Sequence, residues 1–362
     1  MEKPIFHLDL DAFFASVLIR DHPELEHVPV VIGPEPKQGH GRGVAVTCNY
    51  PARKFGIKSG MAISRALALC PDALFMHPSF PKISKSSKEV MEIVQTYANT
   101  FQQTGLDEAY FTAKQAFASW DQPIQLGREI QQSVHEQSHL PCSIGISYTR
   151  ALAKIASELN KPRGLTMITP ENREKVLGPL ELRRISGVGK ETYAIIVKKG
   201  YRTFQDVLTK SLSHLEHDLG GVGRHIWFVA FGKSTHEIED WSGRKSIGKE
   251  RTFGKDYGDA RVIEQKLRLI GEKLHAKLLE KGLQYKTVTL KIRFAPFKTF
   301  SKAHTFPAPL HDPEVGFQKA LELFRIFCPL QKRVRLIGVR YSHLSWGQGI
   351  QQTNLAQWFG KN

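Results

Sequence analysis

Three carboxylates carry the first chemical signal. Asp9 lies in the alternating run 4–10, where Phe6, Leu8 and Leu10 share one face of a strand and His7, Asp9 and Asp11 the other. Asp107 and Glu108 are adjacent, near the middle of a hairpin-like passage. A carboxylate in apolar company is costly unless it is paired or bound to a metal. Three of them from two distant segments suit two Mg²⁺ ions, which prefer oxygen ligands and complete their shells with water and substrate phosphates. Two such ions about 4 Å apart activate a hydroxyl and stabilise a leaving phosphate. The spacing alone fits equally well with Asp9 as a buried ion-pair partner and Asp107-Glu108 as a solvated turn.

The charge balance points to a polyanion. The 362 residues hold 51 Lys and Arg against 35 Asp and Glu, a net charge of +16. Residues 245–340 alone carry 21 basic and 9 acidic side chains. A localised field of that sign suits a phosphate backbone and predicts steep salt dependence. With 41% hydrophobic and 24% charged residues, the composition excludes a collagen-like or disordered chain. No window approaches the roughly 18 unbroken apolar residues of a membrane-spanning helix. Carboxylates interrupt the first apolar run, so no signal peptide is expected. Cys48, Cys70, Cys142 and Cys328 form no C-x-x-C pair, which argues against a zinc site or disulfide framework and fits a reducing compartment.

The elements that must position these residues are legible from hydrophobic period. Strands are predicted at 4–10, 28–32, 44–47 and 142–147, and helices at 12–20, 50–55, 64–69, 84–100, 124–137 and 151–160. A Gly/Pro-rich loop covers 33–43. Small helices broken by glycines fill 170–232, a polar linker 236–244 follows, and 347–362 reads as a tail. Between linker and tail, Arg251, Lys255 and their neighbours lead into a helix at 260–281, and strands at 285–294, 299–306 and 333–341 with a helix at 313–327 follow, which with a strand ahead of the first helix would be a β-α-β-β-α-β order. To about residue 168 the mixture of strands and helices fits an α/β or α+β domain, and the length implies several domains. Ile185-Ser186-Gly187-Val188-Gly189-Lys190 lies between short helices. Its glycines let a turn approach a phosphate, and the following helix offers free N–H groups.

Six stretches, in order and at the right spacing, resemble the Y-family DNA polymerases of the DinB or DNA polymerase IV type. They are His7-Leu8-Asp9-Leu10-Asp11-Ala12-Phe13-Phe14-Ala15-Ser16, Thr47-Cys48-Asn49-Tyr50-Pro51-Ala52-Arg53-Lys54-Phe55-Gly56, Leu106-Asp107-Glu108-Ala109-Tyr110, Ser143-Ile144-Gly145-Ile146-Ser147, Leu152-Ala153-Lys154-Ile155-Ala156-Ser157 with Lys161-Pro162-Arg163-Gly164, and Arg244-Lys245-Ser246-Ile247-Gly248. The resemblance covers nearly the whole chain. It implies a right-hand polymerase with a ferredoxin-like palm (1–10 and 78–167), small fingers (11–77), a helical thumb with a helix-hairpin-helix (168–235), a linker (236–244), a β-α-β-β-α-β little finger (245–346) and a tail (347–362).

By position, the resemblance implies that Asp9 and Asp107 bridge two Mg²⁺ ions, with Mn²⁺ able to substitute. Glu108 would ligate the catalytic metal and the Leu10 carbonyl the nucleotide-bound one. The primer 3′-hydroxyl then attacks the α-phosphate of a dNTP and pyrophosphate leaves. Thr47, Tyr50, Arg53 and Lys161 would hold the triphosphate. Phe13 is expected as a core aromatic at the nucleotide site, and Phe14 as the steric gate that excludes a 2′-hydroxyl. Gly187, Gly189 and Lys190 would grip the duplex from the thumb. Lys245, Ser246, Arg251, Lys291, Arg293 and Arg335 are candidate phosphate contacts that position DNA without reading its sequence.

Gln352, Leu355, Trp358 and Phe359 fit a peptide that docks into a sliding clamp, of the PCNA type or the bacterial beta type. The implied protein is a monomeric, cytoplasmic translesion polymerase acting on primer-template DNA. It has low fidelity and no proofreading exonuclease. Two departures from the family stand out. Gly105 replaces the usual Ser before the Asp-Glu pair, so a hydroxyl donor is expected to be missing. Val44 and Val46 are branched where some relatives carry Ala, and are expected to narrow the space above the templating base. A non-catalytic DNA scaffold and a different two-metal enzyme on a similar palm are the competing readings. The intact carboxylates oppose the first; the thumb-like hairpin and the basic C-terminal domain oppose the second.

Overall fold

The computed structural model describes residues 3–36, 42–238 and 244–346. Part of the expected loop 33–43, most of the expected linker, and the tail with Gln352, Leu355, Trp358 and Phe359 lie outside the described residues. The chain divides into two compact units, Met1–Trp241 and Ser242–Asn362. Among the described residues no helix is long and apolar enough to cross a membrane.

The first unit opens with β1 (Ile5–Leu10), α1 (Phe13–Asp21), β2 (Val30–Ile32), β3 (Thr47–Cys48), α2 (Tyr50–Lys54), α3 (Ile63–Leu69) and β4 (Leu74–Met76). It continues through α4 (Phe80–Tyr97), β5 (Ala98–Gln103), β6 (Glu108–Ala113), α5 (Gln122–Ser138), β7 (Cys142–Ser147), α6 (Arg150–Leu159) and β8 (Leu165–Ile168). Five short helices close it: α7 (Arg173–Leu177), α8 (Lys190–Lys198), α9 (Phe204–Leu208), α10 (Leu212–Leu219) and α11 (Gly221–Ala230).

The main sheet runs β5-β6-β1-β7-β8, with β1 antiparallel to both of its neighbours. The alternation in β1 sets its two faces. Phe6, Leu8 and Leu10 join Phe111, Ile144 and Ile146 under Val90 and Val94 of α4 and Ile130 and Val134 of α5. Each such burial contributes about 1.5–3 kcal/mol. On the opposite face α6 comes close because residue 145 is glycine. A Cβ there would stand 2.0 Å from the Ala153 carbonyl oxygen and 2.3 Å from the Ser157 nitrogen.

Some local expectations shift. The strand predicted at 44–47 forms at Thr47–Cys48, and Val44 makes only an isolated bridge to Ala62. The Asn49 side chain explains the register. It accepts from Val30 N–H at 2.9 Å, donates to Val28 C=O at 2.7 Å, and caps α2 through Ala52 N–H at 3.1 Å. Helix α4 begins at Phe80 rather than 84, with Pro81 in its first turn, where a missing N–H costs nothing. The short strands β4 and β8 carry too few residues to show a period.

The second unit holds β9 (Ser246–Tyr257), α12 (Ala260–Glu280), β10 (Leu283–Phe294), β11 (Lys298–Leu310), α13 (Pro313–Arg325), β12 (Val334–Ser342) and β13 (Ser345–Trp346). Apart from the short β13, this is the β-α-β-β-α-β order. The antiparallel sheet runs β11-β10-β12-β9. Val288, Leu290 and Ile292 pack with Leu267, Ile270 and Leu274 of α12 and Phe317 and Leu321 of α13. The other sheet face, with Thr289, Lys291 and Arg293, is left open.

Candidate active site

Strand register builds the carboxylate cluster. Asp9 and Glu108 are directly paired across β1 and β6, so their side chains leave the same face. Asp107 precedes Glu108, and its carbonyl accepts the Leu10 N–H at 2.8 Å. Two lysines from the α6 region answer this charge. Lys161 Nζ lies 2.5 Å from Asp9 Oδ1 and 2.9 Å from Glu158 Oε1. Lys154 pairs with Glu108 Oε2. Behind them His7 is fully buried, with Nε2 3.5 Å from Glu108 Oε2 and Nδ1 2.8 Å from Ser157 Oγ.

The electrostatics split the carboxylates. Burial pushes Asp9 up to about 6, against the pull of Lys161. Burial also raises Asp107, with neighbouring Glu108 adding to the shift. The His7 imidazole, and then Lys154, hold Glu108 well below its usual range. Burial lowers His7 to about 4, leaving it neutral at pH 7. Burial pulls Lys161 down, but Asp9 and Glu158 more than offset this and carry it up to about 12. The donor set fits a hard divalent cation: oxygen ligands only, clustered negative charge, and lysine ammonium groups balancing it. Among the described residues no three potential ligands already converge on one point, because Lys161 and Lys154 engage Asp9 and Glu108.

A hollow of about 450 Å³ opens over Asp9 and Asp107, walled by Phe13, Phe14, Thr47, Arg53, Glu158 and Lys161. Phe13 is buried in the core, as expected, and Phe14 is half-buried. Phe14 meets Phe13 edge-on at 5.7 Å and Phe80 at 5.9 Å. Tyr50 and Arg53 lie one turn apart on α2, with the guanidinium 4.7 Å over the Tyr50 ring. Burial, reinforced by Asp11, raises Tyr50 to about 12. Exposed Val46 reaches the hollow's wall, whereas exposed Val44 does not.

Asp11, His7 and Lys154 stand in the stretches that carry the resemblance, but the sequence assigns them no role, and Glu158 carries no signal there. Asp11 is buried and accepts from Ser143 Oγ at 2.9 and 3.0 Å and from Arg163 N–H at 2.7 Å. It ties the loop bearing Lys161 to the end of β1. Its signals in the sequence are its place in the alternating run with Asp9 and in the first of the stretches that carry the resemblance. The hydroxyl expected to be missing at Gly105 is supplied one residue earlier, as Thr104 Oγ1 donates to Glu108 Oε1 at 3.1 Å.

The expected DNA contacts fall into four settings. Gly187 has φ +92°, and Gly189 caps α8, which begins at Lys190. His225 Nε2 donates to the Ser186 carbonyl at 3.0 Å and braces this hairpin. In the second unit Ser246, Lys291 and Arg293 share the open sheet face, and Lys245 directly precedes β9. Arg335 instead stacks on Phe297 at 4.3 Å. Arg251 pairs with buried Ile337, which places it on the helix-packed side, apart from the others. Arg340, to which the sequence draws no attention, is exposed on the open face.

Comparison with known proteins adds the family. The impB/mucB/samB family matches residues 8–158, and its C-terminal domain matches residues 244–355. DNA polymerase IV 2 of Methanosarcina mazei is 35% identical over 94% of this chain and 92% of its own. DNA polymerase IV of Listeria monocytogenes is 35% identical over 94% of this chain and 95% of its own. Among solved structures, a Y-family DNA polymerase chimera built on Dbh is similar with a TM-score of 0.85 and 25% identity, covering 95% of this chain and all of that one.

Proposed function

The chain belongs to the impB/mucB/samB family, as a DNA-directed DNA polymerase of the Y family that works in translesion synthesis, and from that premise we propose how its own residues do the work. Enzymes of this type are metal-dependent nucleotidyltransferases, generally with Mg²⁺. Asp9, Asp107, Glu108 and the Leu10 carbonyl would hold two Mg²⁺ ions, and Mn²⁺ would be accepted in their place. Bound there, the metal supplies Lewis-acid activation of the primer 3′-hydroxyl and neutralises the leaving pyrophosphate.

The other residues position and balance charge. Lys161 is poised between Asp9 and Glu158, facing the hollow, and an incoming triphosphate gives it a stronger anion to move to. Arg53, Tyr50 and Thr47 take the remaining phosphate oxygens. The Phe14 ring floors the sugar and excludes ribonucleotides. His7 and Lys154 keep Glu108 ionised, ready to turn to a metal once Lys154 yields it.

The palm (1–10, 78–167), fingers (11–77) and thumb (168–235) make up the first unit, and the little finger (245–346) the second. The break between compact units at residues 241–242 supports a linker at 236–244. The Gly187-Gly189 hairpin with Lys190 grips phosphates from the thumb. Ser246, Lys291 and Arg293, with Lys245, Arg251 and Arg335 at the margins, position the duplex from the little finger. Gln352, Leu355, Trp358 and Phe359 dock on a sliding clamp. The enzyme acts as a cytoplasmic monomer.

The observation that carries this reading is the Asp9–Glu108 cross-strand pair with Asp107 beside it, under a hollow edged with cationic donors. Primer extension, one nucleotide at a time on the four template bases, tests it. Addition of the complementary dNTP in Mg²⁺ is expected. Tight primer-template binding with no addition under any metal would return the protein to the scaffold reading.

A further inference from the structure

The open face of the second unit's sheet holds a carboxylate where a polyanion binder has least use for one. Glu250, Gly338 and Lys291 form a single cross-strand row through β9, β12 and β10. The middle residue has no side chain, and Glu250 lies across the gap. A Cβ on residue 338 would stand 2.6 Å from Glu250 Cγ. Both Glu250 oxygens then accept from Lys291 Nζ at 2.8 Å. The next row is Gly248, Arg340 and Thr289. A hollow of about 330 Å³ spans both rows, and Ser301 joins its lining. Its donors are Lys291, Arg340, Thr289 and Ser301, with Lys249 at its edge, paired with buried Val339; its one carboxylate is Glu250.

We propose that this trough is a seat for a DNA backbone phosphate and that Glu250 fills it in the free protein, so that duplex binding must first take Lys291 from Glu250. The inference rests on the polymerase reading above and adds Glu250 as a residue that limits DNA grip. Two observations support it. The pair is half-exposed, with 33% and 47% of the two side chains accessible, so it adds little to fold stability and remains open to exchange. The two donors flanking it, Thr289 and Ser301, present hydroxyls of the kind that bind phosphate oxygens. Lys291 therefore contributes no net charge to the free surface, although its position is central.

The test is the salt dependence of primer-template binding in wild type, Glu250→Gln, Lys291→Met and the double variant, with thermal unfolding as a check on folding. Glu250→Gln keeps the shape and frees one cation. It should raise affinity roughly three- to tenfold at low salt, a gain that shrinks as salt screens the pair and so steepens the slope of log K against log salt. Lys291→Met should abolish that gain in the double variant. An unchanged slope in Glu250→Gln overturns the inference while leaving the polymerase reading intact, and so does a gain that survives loss of Lys291. A wild type that neither binds nor extends primer-template removes both.

Discussion

Replacing Gly145 with Ala should damage stability and catalysis together, because one helix serves both. The added Cβ would meet the Ala153 carbonyl oxygen at 2.0 Å. Carbon–oxygen contacts run to about 3.3–3.6 Å, so α6 must recede by roughly 1.3 Å. Backbone atoms are the obstacle, and no rotamer change relieves them. Leu152 and Ile155 of α6 are buried in the core that also takes in the small helices, so that core loosens. Overpacking of this kind costs about 3 kcal/mol, the upper end of its usual range. The urea midpoint should fall by about 1 M.

Helix α6 also carries Lys154, Ser157 and Glu158 and leads into Lys161. A displacement of about 1 Å at a catalytic constellation costs about a hundredfold in rate. Single-turnover insertion on pre-bound DNA, at a temperature where the variant is folded, reads that loss. Gly254→Ala is the control, since a Cβ there meets nothing within 4 Å. A Gly145→Ala protein with the wild-type midpoint and wild-type rate would refute the claim that close approach of α6 builds the site.

The raised pKa of Asp9 makes a pH prediction. Its folded value of about 6 exceeds the ordinary 3.8, so between those values the metal-free site holds a proton that a cation must displace. At pH 5 about one Asp9 in ten is ionised, and the apparent Mg²⁺ affinity should fall about tenfold from pH 7.5. Insertion rates titrated with Mg²⁺ at each pH measure this, and a flat affinity contradicts it. Phe14→Val removes the ring at the sugar and should raise ribonucleotide insertion roughly 10- to 100-fold relative to dNTP. Unchanged selectivity would move the gate to another residue.

Legibility in the sequence followed range. Asp9 was visible because a carboxylate interrupts an alternating strand, and α2 because the helical period over 50–55 is local. The His7–Ser157 contact spans 150 residues and depends on Gly145, whose role appears only when α6 is laid on the sheet. The Glu250–Lys291 pair was hidden for a similar reason. It needs the register of three strands, and Lys291 read from sequence is simply another cation. The side of the sheet on which Arg251 lies is set by the parity of β9, fixed by Ile247 and Phe253 pointing into the core, which residue types alone do not report. Thr104 substitutes for the missing hydroxyl because the turn before β6 brings it to Glu108, a geometry that residue spacing alone does not report.

The claim at the centre is that Asp9, Asp107 and Glu108 carry a metal-dependent transfer of nucleotides to DNA. Asp107→Ala/Glu108→Ala, compared with wild type in primer extension with Mg²⁺ and dNTPs and in parallel DNA-binding titrations, tests it most directly. The double variant should bind primer-template as wild type does and add no nucleotide. A double variant that still extends the primer at a rate near that of wild type would contradict the assignment of the site.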